Sequence, residues 1–324
     1  LSEETAVGRE SYRYFLGNVG IYPYTPEQLV AMGRQEWARS VLFETLERNR
    51  NAGLPELPIG PSIDAVTARL DAEELKVRRF LTEKNLLTVP GWVGHYKAQP
   101  FPAYLAPIGW LGRTFDFTSI DRTGQDATVY LPDPSPKLGY FNLSIMRDPR
   151  PIIVHEGVPG HFFQLSLSWR NPDPLRRRYY DSGANEGTGF YAEEMMLQAG
   201  FWADAPKTRE IIYNFARLRA LRVEVDVKLA LGEFTIAQAA DYLERMVPMD
   251  RATAREEATF FAAAPGQAIS YQIGKMQTTE FLAEARVREG KSFDLKRFHD
   301  YLWTNGNVPI ALQKEEYLSM VSGE

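Results

Sequence analysis

The chain has 324 residues, with 37 lysines and arginines against 42 aspartates and glutamates, which gives a formal net charge of -5. This mild acidic excess argues against a nucleic-acid-binding protein, which would show a basic surface. The hydrophobic content of 44% indicates a globular protein that can bury a substantial core. The sequence contains no run of about 18 apolar residues, so we predict no transmembrane segment.

The sequence contains no cysteine. Disulfides, thiolate metal sites and cysteine nucleophiles are therefore excluded, and a transition metal would need histidine and carboxylate ligands. The four histidines are His95, His155, His161 and His299. The chain begins without a methionine or a signal-peptide pattern, so we expect a mature or trimmed fragment of a longer chain. The compartment (cytoplasm or bacterial envelope) and the oligomeric state stay open.

Helical patterns dominate the chain. Thr25 followed by Pro26 predicts a helix start, and a loop dense in proline and glycine follows this first helix. Helices are predicted over residues 25–51, from about 62, and over 72–84, 151–169, 182–200, 207–231, 235–247, 250–261, 266–289 and 293–304. The segments AYLAPI, ATVYLP and GYFNLSI predict strands. We therefore expect one mainly helical domain over residues 1–324, with a small β insert around residues 100–145.

The segment VHEGVPGH carries the most informative chemistry. Imidazole rings bind zinc, and a neighbouring carboxylate can polarise a water molecule. Histidines four residues apart share one helix face. His155 and His161 are six apart, which places them on nearly opposite faces of an ideal helix. The Pro-Gly pair between them predicts a bulge or break at residues 157–160 that brings the rings together. The alternative is a strand or loop that ends in a capping histidine, with Glu156 in solvent.

A second motif begins 24 residues after His161, with the sequence NEGTGFYAE. It resembles the helix that provides the third zinc ligand in gluzincin aminopeptidases, in which the glutamate of Asn-Glu-Gly binds the metal. The resemblance makes Glu186 the third ligand and leaves the fourth zinc position to water. An exposed acidic helix, extended by Glu193 and Glu194, is the alternative.

HEGVPGHFFQ, NEGTGFYAEEM and PGQAISYQIGK, in this order, resemble the bacterial family catalogued as domain of unknown function 885. The likeness extends to GRESYRYFL and to FDLKRFHDYLWTNGNVPIALQ, and so covers almost the whole chain. It implies a gluzincin-like zinc-peptidase helical architecture, in the C-terminal portion of a longer protein. Thr188 stands where the family usually has tryptophan, and Phe162 where it often has histidine. A further family histidine, in the helix around Asp226, is absent.

The resemblance also points to residues near the third motif. The hydroxyl of Tyr271 would donate to the oxyanion of a tetrahedral intermediate. Gln267 and Lys275 flank it and are candidates for binding substrate or for orienting Tyr271. Tyr140 and Asn142, in the predicted strand GYFNLSI, are candidates for holding the substrate backbone at a sheet edge. A purely structural strand is the alternative there.

The remaining polar candidates are assigned supporting roles. Glu193 and Asp226 would be carboxylates that orient a ligand histidine from outside the metal shell. His299 is predicted to be buried and structural, and His95 to be structural or exposed. The acidic pair Glu256-Glu257 is predicted to lie on a solvated face.

The leading hypothesis is a zinc-dependent hydrolase, with zinc held by His155, His161 and Glu186. Glu156 would be the general base for a zinc-activated water, and Tyr271 would help to stabilise the oxyanion. A peptide or another amide is the expected substrate, and no nucleic-acid partner is expected. The alternatives are a non-catalytic peptide-binding or structural protein of the same fold, and a metallohydrolase of non-peptide amides or esters.

Overall fold

The computed structural model describes residues 5–105, 107 and 114–322. In this part of the chain the fold is mainly helical, with one three-stranded sheet. The α-helices are α1 (Arg9–Asn18), α2 (Pro26–Arg50), α3 (Ile63–Glu83), α4 (Tyr140–Arg147), α5 (Arg150–Ile152), α6 (His161–Ser168), α7 (Pro174–Arg178), α8 (Ser182–Gln198), α9 (Pro206–Ala230), α10 (Ile236–Met246), α11 (Arg251–Ala263), α12 (Gln267–Glu289), α13 (Leu295–Thr304) and α14 (Ile310–Ser322). The strands are β1 (Tyr96–Pro100), β2 (Thr114–Asp116) and β3 (Ala127–Leu131).

The prediction of a mainly helical chain with a small β region is confirmed. Thr25 caps α2 through a reciprocal capping box with Gln28, as its sequence signal indicates. The two helices predicted between residues 62 and 84 are wrong, because they form the single helix α3. Its buried residues continue across the predicted break at helical spacing and form one stripe: Val66, Leu70, Glu74, Val77 and Leu81.

The predicted strands have mixed outcomes. ATVYLP forms β3, whereas residues 103–105 of AYLAPI form a 3₁₀ turn and residues 106 and 108 lie outside the described part. The predicted strand GYFNLSI is wrong, since it forms α4. The Asp250 carboxylate accepts a hydrogen bond from the backbone N–H of Tyr140 at 2.8 Å. A distant residue therefore satisfies the first turn of α4, and the local sequence gives no sign of it.

The sheet has the order β1-β3-β2. β1 pairs with β3 in parallel, with Tyr96 opposite Ala127. β2 pairs with β3 in antiparallel orientation, with Phe115 opposite Val129. α3 packs against β1, and the inward residues of β1 and β3 join the largest hydrophobic cluster.

The helices that carry the second and third motifs meet through glycines. A Cβ atom on Gly187 of α8 would lie 2.5 Å from the carbonyl carbon of Gly274 in α12. A Cβ atom on Gly274 would lie 2.2 Å from the backbone oxygen of Gly183. α8 and α12 therefore touch backbone to backbone, with Gly274 about two turns into α12. In the described chain, no helix is both long enough and apolar enough to cross a membrane.

Candidate metal centre

The two histidines of the first motif are brought together by a change of helix type. α5 continues into a single π-helical turn, Ile153–Gly157, and α6 begins only at His161. The backbone N–H of Val158 donates to the carbonyl of Ile153 at 2.9 Å, which closes the wider turn. The centroids of the His155 and His161 rings are 4.7 Å apart. The predicted break within 151–169 is confirmed, but the bulge starts before residue 157.

The ligand atoms of three side chains converge in this region. His155 Nε2 and His161 Nε2 lie 3.4 Å and 3.1 Å from Glu186 Oε2, and all three residues are buried. A tetrahedral zinc ion with bonds of about 2.0–2.1 Å holds its ligand atoms about 3.3 Å apart. The spacing and the chemistry of these donors therefore fit zinc.

Gly189 provides the floor beneath both rings. It lies on α8, one turn after Glu186, and a Cβ atom there would be 2.9 Å from His161 Cε1 and 3.3 Å from His155 Cε1. The absent side chain therefore allows both imidazoles to pack onto the helix that carries the third donor. His161 Nδ1 is buried and has no hydrogen-bond partner among the described residues.

The environment keeps Glu186 ionised. Burial alone would raise the pKa of its carboxyl group, but the His161 and His155 rings lower this pKa well below its usual range. The side-chain amide of Gln267, at the start of α12, donates to Glu186 Oε1 at 3.4 Å. Ser182 in turn donates to Gln267 Oε1 at 2.7 Å. Gln267, predicted to bind substrate or to orient Tyr271, thus contacts the third ligand.

A buried pair of charges lies behind His155. Glu193 Oε1 is 2.7 Å from His155 Nδ1, which matches the predicted supporting role of Glu193. Arg219 Nη2 is 2.7 Å from the same oxygen, and Nη1 donates to Oε2 at 3.3 Å. Burial and Arg219 lower the pKa of His155, but Glu186 and Glu193 outweigh them and raise it. Arg219 is not among the residues predicted from the sequence.

Glu156 and Tyr271 lie at the same centre. Glu156 Oε2 is 4.0 Å from His161 Nε2. The Tyr271 ring is nearly parallel to the His155 ring, with the centroids 6.2 Å apart. Burial raises the pKa of Tyr271 well above its usual value, and the Glu186 carboxylate adds to this effect. Tyr271 therefore stays protonated and can act as a hydrogen-bond donor.

A second arginine fixes the outer side of Tyr271. The guanidinium carbon of Arg222 lies 4.5 Å from the centroid of the Tyr271 ring, within the range of a cation–π contact. Arg222 donates to both oxygens of Glu257, at 2.6 Å and 2.7 Å. The prediction that Glu257 is solvated is therefore wrong, whereas Glu256 is exposed as expected. The available sequence signal is two arginines, three residues apart, in the apolar middle of α9.

The two histidines, Glu156, Glu186 and Tyr271 face one cavity of about 310 Å³. Its wall is rich in aromatic rings: Phe115, Phe117, Phe141, Tyr180, Phe215 and Tyr271. Among the sequence candidates, His155, Glu156, His161, Glu186 and Tyr271 line this cavity.

The family model described as "Bacterial protein of unknown function (DUF885)" matches residues 130–316, which include all three motifs. The chain belongs to the DUF885 family. No curated protein matches it significantly.

Two solved structures resemble this DUF885 chain. The crystal structure of a candidate lipoprotein from Colwellia psychrerythraea superposes with a TM-score of 0.83 at 19% identity, covering 99% of this chain and 57% of that one. The structure of a candidate lipoprotein of unknown function from Shewanella oneidensis gives a TM-score of 0.75 at 20% identity, covering 97% of this chain and 60% of that one. These likenesses establish a shared fold. The chain spans less than two thirds of the length of either protein.

Several predicted site residues of the DUF885 chain lie elsewhere. Tyr140 and Asn142 are on α4, so they cannot hold a substrate at a strand edge. The Tyr140 hydroxyl donates to the side chain of Asn214. Lys275 is buried with its ammonium nitrogen 3.6 Å from Glu194 Oε2, and it is absent from the lining of the metal-centre cavity. Its predicted contact with substrate therefore has no support in the structure.

Asp226 has a structural position in the DUF885 chain. Its carboxylate accepts hydrogen bonds from the backbone N–H groups of Gly266 and Ala268, at 2.8 Å and 2.6 Å. The Tyr12 hydroxyl donates to it at 3.0 Å. Burial raises the pKa of Asp226 to about 6. The predicted contact with a ligand histidine is wrong, because Asp226 caps the N-terminus of α12.

The remaining histidines are structural, as predicted. His299 is buried, with Nδ1 2.7 Å from the carbonyl oxygen of Leu86 and Nε2 2.8 Å from the Tyr191 hydroxyl. Burial lowers the pKa of His299 to about 4, so the ring is neutral near pH 7. His95 Nδ1 lies 3.1 Å from Glu74 Oε2, and the ring is partly exposed.

Proposed function

We propose that the chain is a zinc-dependent hydrolase that cleaves peptides or related amides. The convergence of His155, His161 and Glu186 on one point, with Glu156 facing the same cavity, carries this proposal. We further infer that the ligand-bearing helices are related to those of the gluzincin peptidases, as the motif resemblance implies.

Each polar residue of the cavity has a separate role in the proposed reaction. When bound, zinc would supply Lewis acidity that polarises a substrate carbonyl and lowers the pKa of a water molecule. The Glu156 carboxylate is positioned to take a proton from the attacking water and to deliver it to the leaving amine. The Tyr271 hydroxyl is available to donate to the developing oxyanion. Glu193, held by Arg219, fixes the orientation of the His155 ring.

The cavity wall indicates the kind of substrate. Phe141 and Phe215 are in contact, with ring centroids 5.9 Å apart, and form part of an aromatic wall. The two arginines of the described lining, Arg219 and Arg222, are each paired with a buried or nearly buried carboxylate. An anionic group of a substrate would therefore find no unpaired cation among the described lining residues. We expect a preference for large apolar side chains next to the scissile bond.

β2 offers a binding edge for the substrate backbone. It is the last strand in the order β1-β3-β2, and Phe115 at its centre lines the cavity. An extended peptide could add to this edge and place its carbonyl groups near Glu156. We therefore assign to β2 the role that the sequence reasoning gave to residues 139–145.

The decisive experiment is Glu156→Gln. Zinc content should stay at one ion per chain, whereas turnover of fluorogenic peptides that carry phenylalanine should fall by about 10²–10⁴-fold. Glu83→Gln, at an exposed position at the end of α3, provides the matched control and should keep full turnover. Zinc content is read by elemental analysis and turnover by fluorescence.

Three outcomes would count against this function. If the wild-type chain does not bind zinc, the proposed metal centre is wrong. If zinc-loaded Glu156→Gln keeps its turnover, Glu156 is not the general base. A zinc-loaded wild-type chain that cleaves no peptide, amide or ester would favour the non-catalytic alternative.

A further inference from the structure

We propose that a second cavity, of about 490 Å³, binds a small organic anion. It is an open pocket lined by residues of α2, α4, α9, the loop before α4 and the loop before α11. A volume of this size is within the range of small-molecule sites, which is about 300–1,000 Å³.

The charges around this cavity favour an anion. Its lining contains three cationic side chains, Arg48, Lys137 and Arg147, against one carboxylate, Asp250. This excess of positive charge stands out in a chain whose net charge is -5. The Asp250 carboxylate is already satisfied, because it accepts from the backbone N–H of Tyr140 and from the N–H and hydroxyl of the residue at position 253. Asp250 keeps its negative charge, so the lining carries one negative charge against three positive ones.

Two of the three cations are unpaired. Arg48 forms ion pairs with Glu44 and Glu210, at 2.9 Å and 3.2 Å. The side chains of Lys137 and Arg147, by contrast, make no ion pair or hydrogen bond within the described part of the chain, and Arg147 Nε is buried without a partner. A bound anion would supply a partner of opposite charge for these two side chains.

The remaining lining is apolar, which indicates an organic ligand. Leu138, Leu143, Ile211 and Met249 share the wall with the cations. A bare inorganic anion would leave this surface unfilled. The combination fits a carboxylate or phosphate group carried on an apolar body.

The second cavity and the metal-centre cavity are separated by two pairs of consecutive residues. Tyr140 and Asn214 line the second cavity, whereas Phe141 and Phe215 line the metal-centre cavity. Tyr140 packs on Phe215 with the ring centroids 5.6 Å apart. A ligand in the second cavity would therefore touch the back of the aromatic wall, without contact with the metal ligands.

The test is isothermal titration calorimetry with phenyl phosphate, phenylacetate, inorganic phosphate and phenol. We expect phenyl phosphate or phenylacetate to bind at least tenfold more tightly than inorganic phosphate and phenol. The double variant Lys137→Gln/Arg147→Gln should weaken this binding at least tenfold. The control Arg13→Gln/Lys291→Gln removes the same charge at exposed positions and should leave it unchanged.

Further variants locate the binding site and control for misfolding. Binding should persist in His155→Ala/His161→Ala, because the site does not involve the metal ligands. Its loss there would place the anion in the metal-centre cavity and overturn the inference. If inorganic phosphate bound as tightly as phenyl phosphate or phenylacetate, the site would recognise charge alone, and the inference of an organic ligand would be wrong. If the double variant does not fold, Lys137→Gln alone, in an exposed loop, should still weaken binding, and unchanged affinity would refute the proposal.

Discussion

The substitution Gly189→Ala is expected to separate zinc affinity from folding stability. Its Cβ would lie 2.9 Å from His161 Cε1, whereas non-bonded carbon atoms are at rest about 3.5–4.0 Å apart. The His161 ring must therefore retreat by at least about 0.6 Å. Metal–ligand distances tolerate only about ±0.2 Å. We therefore expect a loss of zinc affinity of about 10–100-fold, which corresponds to about 1.4–2.7 kcal/mol.

The folding stability of the metal-free chain should respond differently. Alanine is favoured over glycine inside a helix by about 1 kcal/mol, which offsets part of the cost of moving the ring. Thermal unfolding in the presence of a chelator should therefore change little, while competition with a chromophoric chelator reports the loss of zinc affinity. Gly17→Ala is the matched control, because a Cβ atom on this α1 residue meets nothing within 4 Å. If Gly189→Ala bound zinc as tightly as the wild type, the two rings could not be facing a common ion above α8.

Two further substitutions test the surroundings of the histidines. Glu193→Gln should weaken zinc binding by about 10–100-fold, measured by the same competition, since it removes the carboxylate that orients His155; unchanged affinity would exclude that role. His299 has a folded pKa of about 4, below the value of about 6.5 in an unfolded chain. The contribution of His299 to the free energy of unfolding should be complete above pH 6.5. It should be lost as the pH falls towards 4, by about 3 kcal/mol in total. Urea unfolding of the metal-free protein at pH 7 and pH 4.5 should show this loss in the wild type but not in His299→Gln, and identical pH dependence in both would contradict it.

The sequence supports most helices and the convergence of the metal-centre residues. The Pro-Gly pair predicts a break between the two histidines, because helices with such pairs are disrupted. The third ligand, Glu186, is predicted from a motif resemblance, and the fold brings it to the two rings. Thr25 caps α2 at the position its sequence signal indicates.

Other features depend on contacts between distant residues. The local pattern of residues 139–145 predicts a strand. They form α4 instead, and its start is stabilised by Asp250, 110 residues away. The Asp226 carboxylate accepts a hydrogen bond from the backbone N–H of Gly266, a residue that only the fold brings close. Arg219 and Arg222 form buried ion pairs across α8, α9 and α11, and single-sequence periodicity cannot show such partners. Local patterns therefore predict elements, whereas long-range hydrogen bonds decide the ambiguous ones.

The glycine contact between α8 and α12 limits how this scaffold can change. The separation of these helices is set by main-chain atoms at Gly183, Gly187 and Gly274, not by side chains that could be exchanged for larger or smaller ones. Random mutagenesis followed by selection for zinc binding should therefore leave these three codons almost unvaried. The aromatic wall, which is built from replaceable side chains, should accept many substitutions. New substrate preferences could then arise in this scaffold without any change in the spacing between Glu186 and Tyr271.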